Sequence, residues 1–313
     1  MPTSNVNAAF AAGIRRHIGI EYKEDPPVCT KIFHMNTSTS KFEDFQLWEN
    51  YGPPVRKDPG TPVVFGQARQ SFSKRFTHDT WTLGDLIPKE NWADDKYGVL
   101  HRILPAKGGG MARVFRTNYD IQHANVFINT GYVSGTSVAG SFDGVSLFNT
   151  AHPISASNTG TTVSNRPSVD VDLSVASYQA AAVNLRTQYE ANNYTYLDNE
   201  PRQLVVNPAL EYVAKQIIRS GWYPNTADRD VNYNHEDKVK ITTWKYFKKS
   251  GATGTNNAWF VTGQNHELLS FMRAAYEIES DFDIYVLAYV WTADMRFSFG
   301  WADWRGTYGS LGA

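Results

Sequence analysis

Apolar residues recur at three- and four-residue spacing in some stretches of the chain and at every second position in others, and the two periods together predict an α+β fold. The clearest helical stripe is Leu210, Val213, Ala214, Ile217 and Ile218. Asn207-Pro208 precedes it, a capping side chain followed by proline at the first position, and Gly221 closes it. A second helix is expected after Asp172 as cap, with Leu173, Ala176, Ala180 and Val183 on its apolar face. A third starts after Asp94-Asp95 with Tyr97, Leu100 and Leu104. Pro105 and Gly108-Gly109-Gly110 are expected to break it into a hinge, and it resumes from Met111 through Val114, Phe115, Ile121 and Ile128 until Gly131. Leu268, Leu269 and Met272 predict a further helix. Period-two stretches predict strands over Gln203–Val206, Lys238–Phe247, Trp259–Thr262 and Asp281–Trp301, the last with Met295, Phe297, Phe299 and Trp301 on one face.

The segments between these elements are less regular. Residues 1–27 form an arm with a short helix over Ala8–Ile20, stopped by Pro26-Pro27. Residues 28–92 are rich in Thr, Ser, Pro and Gly, with turns at Pro53-Pro54 and Pro59-Gly60 and extended chain over Val63–Thr82. So long and polar a two-stranded excursion is marginal alone in water, which suggests that it rests on another subunit. Residues 132–169 are Gly-, Ser-, Thr- and Asn-rich around a compact island, Phe142–Pro153, and Ser155–Asn165 reads as a mobile loop.

Composition narrows the function. Aromatic residues make up 14% of the 313 residues, an excess that fits extensive subunit contacts or a carbohydrate-binding face. With 30 basic and 31 acidic residues the net charge is −1, so the chain lacks the surplus needed to grip nucleic acid by its phosphates. The single cysteine, Cys29, rules out an intrachain disulfide, and no CxxC pair is present. Neither a signal peptide nor an apolar run of about 20 residues is found, so folding in a reducing cytosol with no membrane association is expected.

Candidate chemistry is thin. Met111-Ala112 follow the triple glycine, where a phosphate loop needs Lys and then Ser or Thr. No two of the eight histidines have HExxH spacing. His78 and His152 are the best functional candidates and read as hydrogen-bonded structural residues. Serine occurs in no GxSxG elbow, and Cys29 has no histidine signature. Glu279, Asp281 and Asp283 read as solvated acids and not as a glycosidase pair. Trp244, Tyr246 and Phe247 among Lys245, Lys248 and Lys249 read as a strand end leading into Ser250–Asn257, and not as a single-strand stacking platform. No catalytic residue, metal or cofactor is expected. The stretch Phe297–Gly312, with Trp301, Trp304, Tyr308, four glycines and the pair Asp303/Arg305, reads as a packing segment.

Four stretches resemble, in order and spacing, the major capsid proteins of Mu-like tailed bacteriophages. They are Lys74–His78 to Leu83-Gly84 with Asp94 to Val99 after it, Asp143–Pro153, Leu204–Glu211, and Phe297–Gly312. The resemblance implies the HK-ninety-seven-type fold: an N-terminal arm (1–27), an extended loop and its base (28–92), and a peripheral domain with spine helix (93–169). An axial domain (170–275) and a return to the peripheral domain with a C-terminal tail (276–313) complete it. It implies a major head subunit that assembles into hexamers and pentamers of an icosahedral shell around double-stranded DNA, located in the virion. It also implies partners: further copies of itself, a separate scaffolding protein, a portal protein and, as a further candidate, a decoration protein. Subunit contacts are then expected at Lys57, Phe65, Phe72 and Phe76 on the loop and at Trp301, Trp304, Arg305 and Tyr308 on the tail. No crosslink through Lys57 is expected. An encapsulin-like nanocompartment shell and a glycan-binding tail component are the alternatives.

Overall fold

The computed structural model describes residues 26–95, 99–132, 142–222, 230–247 and 256–313, with side chains omitted over 99–108. The expected arm helix over Ala8–Ile20 lies outside these residues, as does most of the Ser250–Asn257 loop.

Two four-stranded sheets organise the chain. The first has the order β1 (His34–Thr37), β10 (Leu268–Asp283), β11 (Ala288–Trp301), β4 (Asp79–Pro88). The long β10–β11 hairpin is its spine, β4 pairs antiparallel with β11, and β1 runs parallel to β10. The expected helix at Leu268–Met272 is the start of β10. Leu268 and Met272 pack into one core cluster and Leu269 and Phe271 into another, as residues on opposite faces of a strand do, and β1 pairs with Leu269 to Met272. Three apolar residues within five positions cannot distinguish the two periods.

The second sheet has the order β12 (Thr307–Ser310), β9 (Trp259–Gly263), β7 (Pro201–Val206), β8 (Lys240–Thr243). It is covered on both faces, which explains why β7 and β9 read as near-continuous apolar runs. Leu204, Val206, Trp259 and Val261 pack under α3 (Val175–Arg186) and α4 (Glu211–Arg219), while Val205 and Phe260 face the other core. Ser174, not Asp172, caps α3, in a reciprocal pair with Ser177. The helix buries Tyr178, Ala181, Ala182 and Leu185, one position round from the expected stripe. Asn207 and Pro208 open the α4 region as expected, through a 3-10 turn over Pro208–Leu210.

Between the sheets runs α2 (Val99–Ile128), after the five-residue α1 (Lys89–Ala93). The expected hinge at Gly108–Gly110 is not there, and the helix is continuous through Pro105 and all three glycines. Propensity alone disfavours this by about 3 kcal/mol for proline and about 1 kcal/mol per glycine. Tertiary packing overrides it, because Met111, Phe115, Tyr119, His123 and Phe127 form a buried i, i+4 row, with Ala112 buried beside it. Val114 and Ile121 lie off that row; a tyrosine and a histidine in the row hide it from a purely apolar pattern. Asp120 turns back to accept from the backbone N–H groups of Val28 and Cys29 at 3.1 and 2.9 Å, tying the start of the described chain to the helix.

A third unit, the two-stranded sheet β2 (Phe42–Glu49) and β3 (Arg69–Thr77), is inserted between the end of β1 and the start of β4, the two edge strands of the first sheet. The loop 50–68 closes it. The small hairpin β5 (His152–Pro153) and β6 (Thr162–Val163) follows the compact island. Ser155–Asn165 is not a free loop: Ser155 and Asn165 are buried, and the Asn165 amide donates to the Leu147 carbonyl at 2.7 Å.

Candidate contact surface

The eight expected contact residues fall into two groups with opposite environments. In the C-terminal stretch, Trp301, Trp304, Arg305 and Tyr308 are all buried within the chain itself. Trp304 stacks on His152 with centroids 4.6 Å apart. Arg305 donates to the Tyr189 carbonyl (2.7 Å), the Ile154 carbonyl (2.7 Å) and Asp303 (3.1 Å), so its guanidinium is satisfied without a second subunit. Gly306 N–H donates to Gln188 at 2.8 Å. Tyr308 lies in β12, beside β9. The segment expected as a tail at the edge is therefore a seam joining both sheets, the 152–154 hairpin and the 188–190 loop. Aromatic anchors in a sequence do not reveal which chain supplies their partners.

His152 takes the expected structural role. Its Nδ1 is 2.7 Å from Asp143 and its Nε2 is 3.1 Å from both the Leu147 carbonyl and Asn165. His123 is similar: Nδ1–H donates to the Tyr119 carbonyl at 2.7 Å, so Nε2 accepts from the Ser270 hydroxyl at 2.9 Å. Complete burial pushes its pKa down to about 4.

The hairpin shows a gradient of exposure along its length. At its base Phe76 is buried against Phe271, 5.3 Å away, and Phe72 packs on Phe142 at 5.5 Å. The Lys74 ammonium lies 4.1 Å above the Trp301 ring and 5.1 Å from that of Phe76, in a cleft also lined by Thr130, Ser298 and Gly300. Desolvation there pushes the lysine pKa down to about 7, partly offset by Asp143. Further out, the fastenings are polar and exposed: Ser157 to Glu49, Asn50 to Glu190, and Asn192 to the Tyr51 carbonyl. Beyond these, the whole loop from Tyr51 to Gln70 faces water, including Lys57, Val63 and Val64, and Phe65 is 89% exposed.

A second apolar surface was missed in the sequence. At the β10–β11 turn Ile284, Tyr285, Val286 and Leu287 are exposed, Tyr285 to 93%. Asp283 holds the turn by accepting from the Tyr285 and Val286 N–H groups. The signal was four consecutive apolar residues at a hairpin tip, where polar residues are usual.

Among the described residues, no group of three or more His, Cys, Asp or Glu is placed to hold a metal, and no helix is long and apolar enough to cross a membrane. Burial beside Asp120 raises the Cys29 thiol pKa far above its usual range.

A family model described as phage capsid protein matches residues 74–310. Comparison with curated proteins returns no match. Among solved structures, a chain of Microbacterium phage Oxtober96 superposes with a TM-score of 0.54 at 8% identity, covering 92% of both chains. The capsid of the cyanophage P-SCSP1u gives 0.52 at 16% identity, covering 90% of this chain and 86% of that one. The capsid of a native GTA particle gives 0.54 at 10% identity, covering 91% and 90%. At such identities these likenesses concern the fold, which is the HK-ninety-seven-like capsid fold.

Proposed function

Because the chain belongs to the phage capsid protein family and is a major shell subunit of the virion capsid, we propose that it is the head subunit of a Mu-like tailed phage or prophage, and that its hairpin loop is its principal contact with the next copy. On this reading hexamers and pentamers close an icosahedral shell around double-stranded DNA. A scaffolding protein, a portal and, as a further candidate, a decoration protein join in assembly. The units take roles in that scheme: the first sheet with α2 as peripheral domain, the second sheet with α3 and α4 as axial domain.

One observation carries the proposal. The loop 50–68 presents Tyr51, Val55, Val63, Val64 and Phe65 to water on a two-stranded support, an arrangement the isolated chain does not favour. Burying these side chains on a neighbour contributes roughly 25 cal/mol per Å² of apolar area removed from water, repeated at every copy. Lys57 lies on the same loop, as does the turn Asp58–Thr61. The four buried C-terminal residues act differently in this scheme, by holding the body rigid beneath the contact surfaces.

Catalysis has no support in the geometry. Among the described residues the close hydroxyl–imidazole pairs Ser298–His78, Ser38–His78 and Ser270–His123 are buried, and desolvation lowers both histidine pKa values, which weakens them as bases. A nanocompartment shell or a glycan-binding tail component gains no support from the family match.

The test is negative-stain electron microscopy of the purified chain, alone and with its scaffolding partner, with sedimentation on the same samples. Closed or partial polyhedral shells, or five- and six-fold rings, are expected. A monomer that stays unassembled under both conditions overturns the proposal.

A further inference from the structure

His78 sits between two ladders. In the β4–β11 pair the last partners are Asp79 and Phe297, so the next step would oppose His78 to Ser298. In the β2–β3 pair the last partners are Thr77 and Phe42, so the next step there would oppose His78 to Lys41. His78 is thus the one residue between β3 and β4, where the chain leaves the hairpin and enters the first sheet. Ser38 holds the matching position on the other limb, just beyond β1, with its N–H still donating to the Met272 carbonyl at 3.0 Å.

Side chains replace the missing ladder bonds. The Ser38 hydroxyl donates to a Glu43 carboxylate oxygen at 2.6 Å, because a carboxylate only accepts. Ser38 Oγ therefore accepts from His78 Nε2–H at 3.0 Å, and this fixes the tautomer. Nδ1 is left to accept from the Ser298 hydroxyl at 2.9 Å. The relay Ser298–His78–Ser38–Glu43 crosses both limbs of the corner, and its first three members are buried.

We propose that His78 is a positioning residue that fixes the angle of the β2–β3 hairpin to the body, through this relay, and that protonating it releases the angle. The proposal rests on the reading that the hairpin contacts a neighbouring copy. Protonation turns Nδ1 into a donor facing a hydroxyl that was itself donating, so the Ser298 hydroxyl must turn away. Arg296 on β11 and Arg273 on β10 face the ring and oppose its charge, while Glu43 on β2 and Asp79 on β4 favour it. Desolvation and the arginines prevail, and the His78 pKa lies below the usual 6.5. The imidazole is neutral at pH 7.5. The fastening is complete above about 6.5 and is lost as pH falls through the lowered value.

The test is the distance distribution between nitroxides on Gln67→Cys in the loop and Tyr212→Cys on α4, measured by pulsed electron resonance on the full, unassembled chain. Cys29 is buried and stays unlabelled. Wild type is expected to give one narrow distribution at pH 7.5 that broadens at least twofold at pH 5. His78→Gln, which keeps a donor and an acceptor but does not titrate, stays narrow at both pH values, and His78→Ala is broad at both. Equal widths in all three chains, or His78→Gln broadening with acid as wild type does, overturn the proposal. Shell yield at pH 7.5 separates the underlying reading. If His78→Ala is broad yet forms shells at full yield, the hairpin is not a neighbour contact, although the fastening stands.

Discussion

The C-terminal stretch from Phe297 to Gly312 and the loop from Asn50 to Ala68 are both rich in glycine or proline and in large apolar side chains, yet they end in opposite environments. In the first, every aromatic side chain finds its contacts within the chain, and the one arginine is saturated by two carbonyls and a carboxylate. In the second, Phe65 and its neighbours find nothing. The difference lies in backbone closure. The C-terminal stretch ends in a strand with a ladder partner, β9, whereas the loop is anchored only at its base. Large apolar residues mark where water is to be excluded, and the available backbone pairing decides whether the chain excludes it alone.

The comparison is broken most severely at Trp304. Trp304→Ala opens a cavity beside His152 and is expected to cost about 3–5 kcal/mol, seen as a large drop in Tm or loss of soluble chain. A Tm within a degree of wild type would place Trp304 outside the core. Next comes pH. His123 is neutral with a pKa near 4 when folded and about 6.5 when unfolded, so the unfolded chain binds the extra proton between these values. Stability is full above pH 6.5 and falls on the order of 3 kcal/mol by pH 4 on this account. Denaturant midpoints against pH, compared with His123→Gln, should show a flatter curve for the variant. A smaller effect is expected at Gly309, where an added Cβ would lie 2.3 Å from a Phe260 ring carbon. Gly309→Ala should cost about 1–3 kcal/mol by overpacking, measured by the same melts. The smallest effect on the single chain is at the other pole: Phe65→Ala should change its stability by no more than about 0.5 kcal/mol while cutting shell yield severalfold. Normal shells from that variant would remove the loop from the contact surface.

Much of the second sheet was legible in the sequence. Asn207-Pro208, the stripe Leu210–Ile218 and the run Trp259–Thr262 carry local signals that packing did not override. The errors fell where two rules conflict. Leu268, Leu269 and Met272 fit both periods, and pairing with β11 and β1 selects the strand. Pro105 and Gly108–Gly110 argue for a break, but a row that includes Tyr119 and His123 holds the helix whole. Phe65, Phe72 and Phe76 look alike in the sequence, but Phe142 and Phe271, distant in sequence, cover the last two. The apolar tip Ile284–Leu287 is hidden in the sequence because its residues run on from the apolar positions of the strands on either side.

The seam at residues 302–310 also constrains the order of events at the ribosome. Arg305 binds carbonyls of residues 154 and 189, Gly306 binds Gln188, and β12 completes the edge of a sheet whose other strands are synthesised first. The bonds that these earlier parts make to the seam form only once it has emerged, and at about 5–20 residues per second that delay lasts many seconds. A nascent or prematurely terminated chain thus lacks both the edge strand of the second sheet and the arginine that ties the 152–154 and 188–190 segments together.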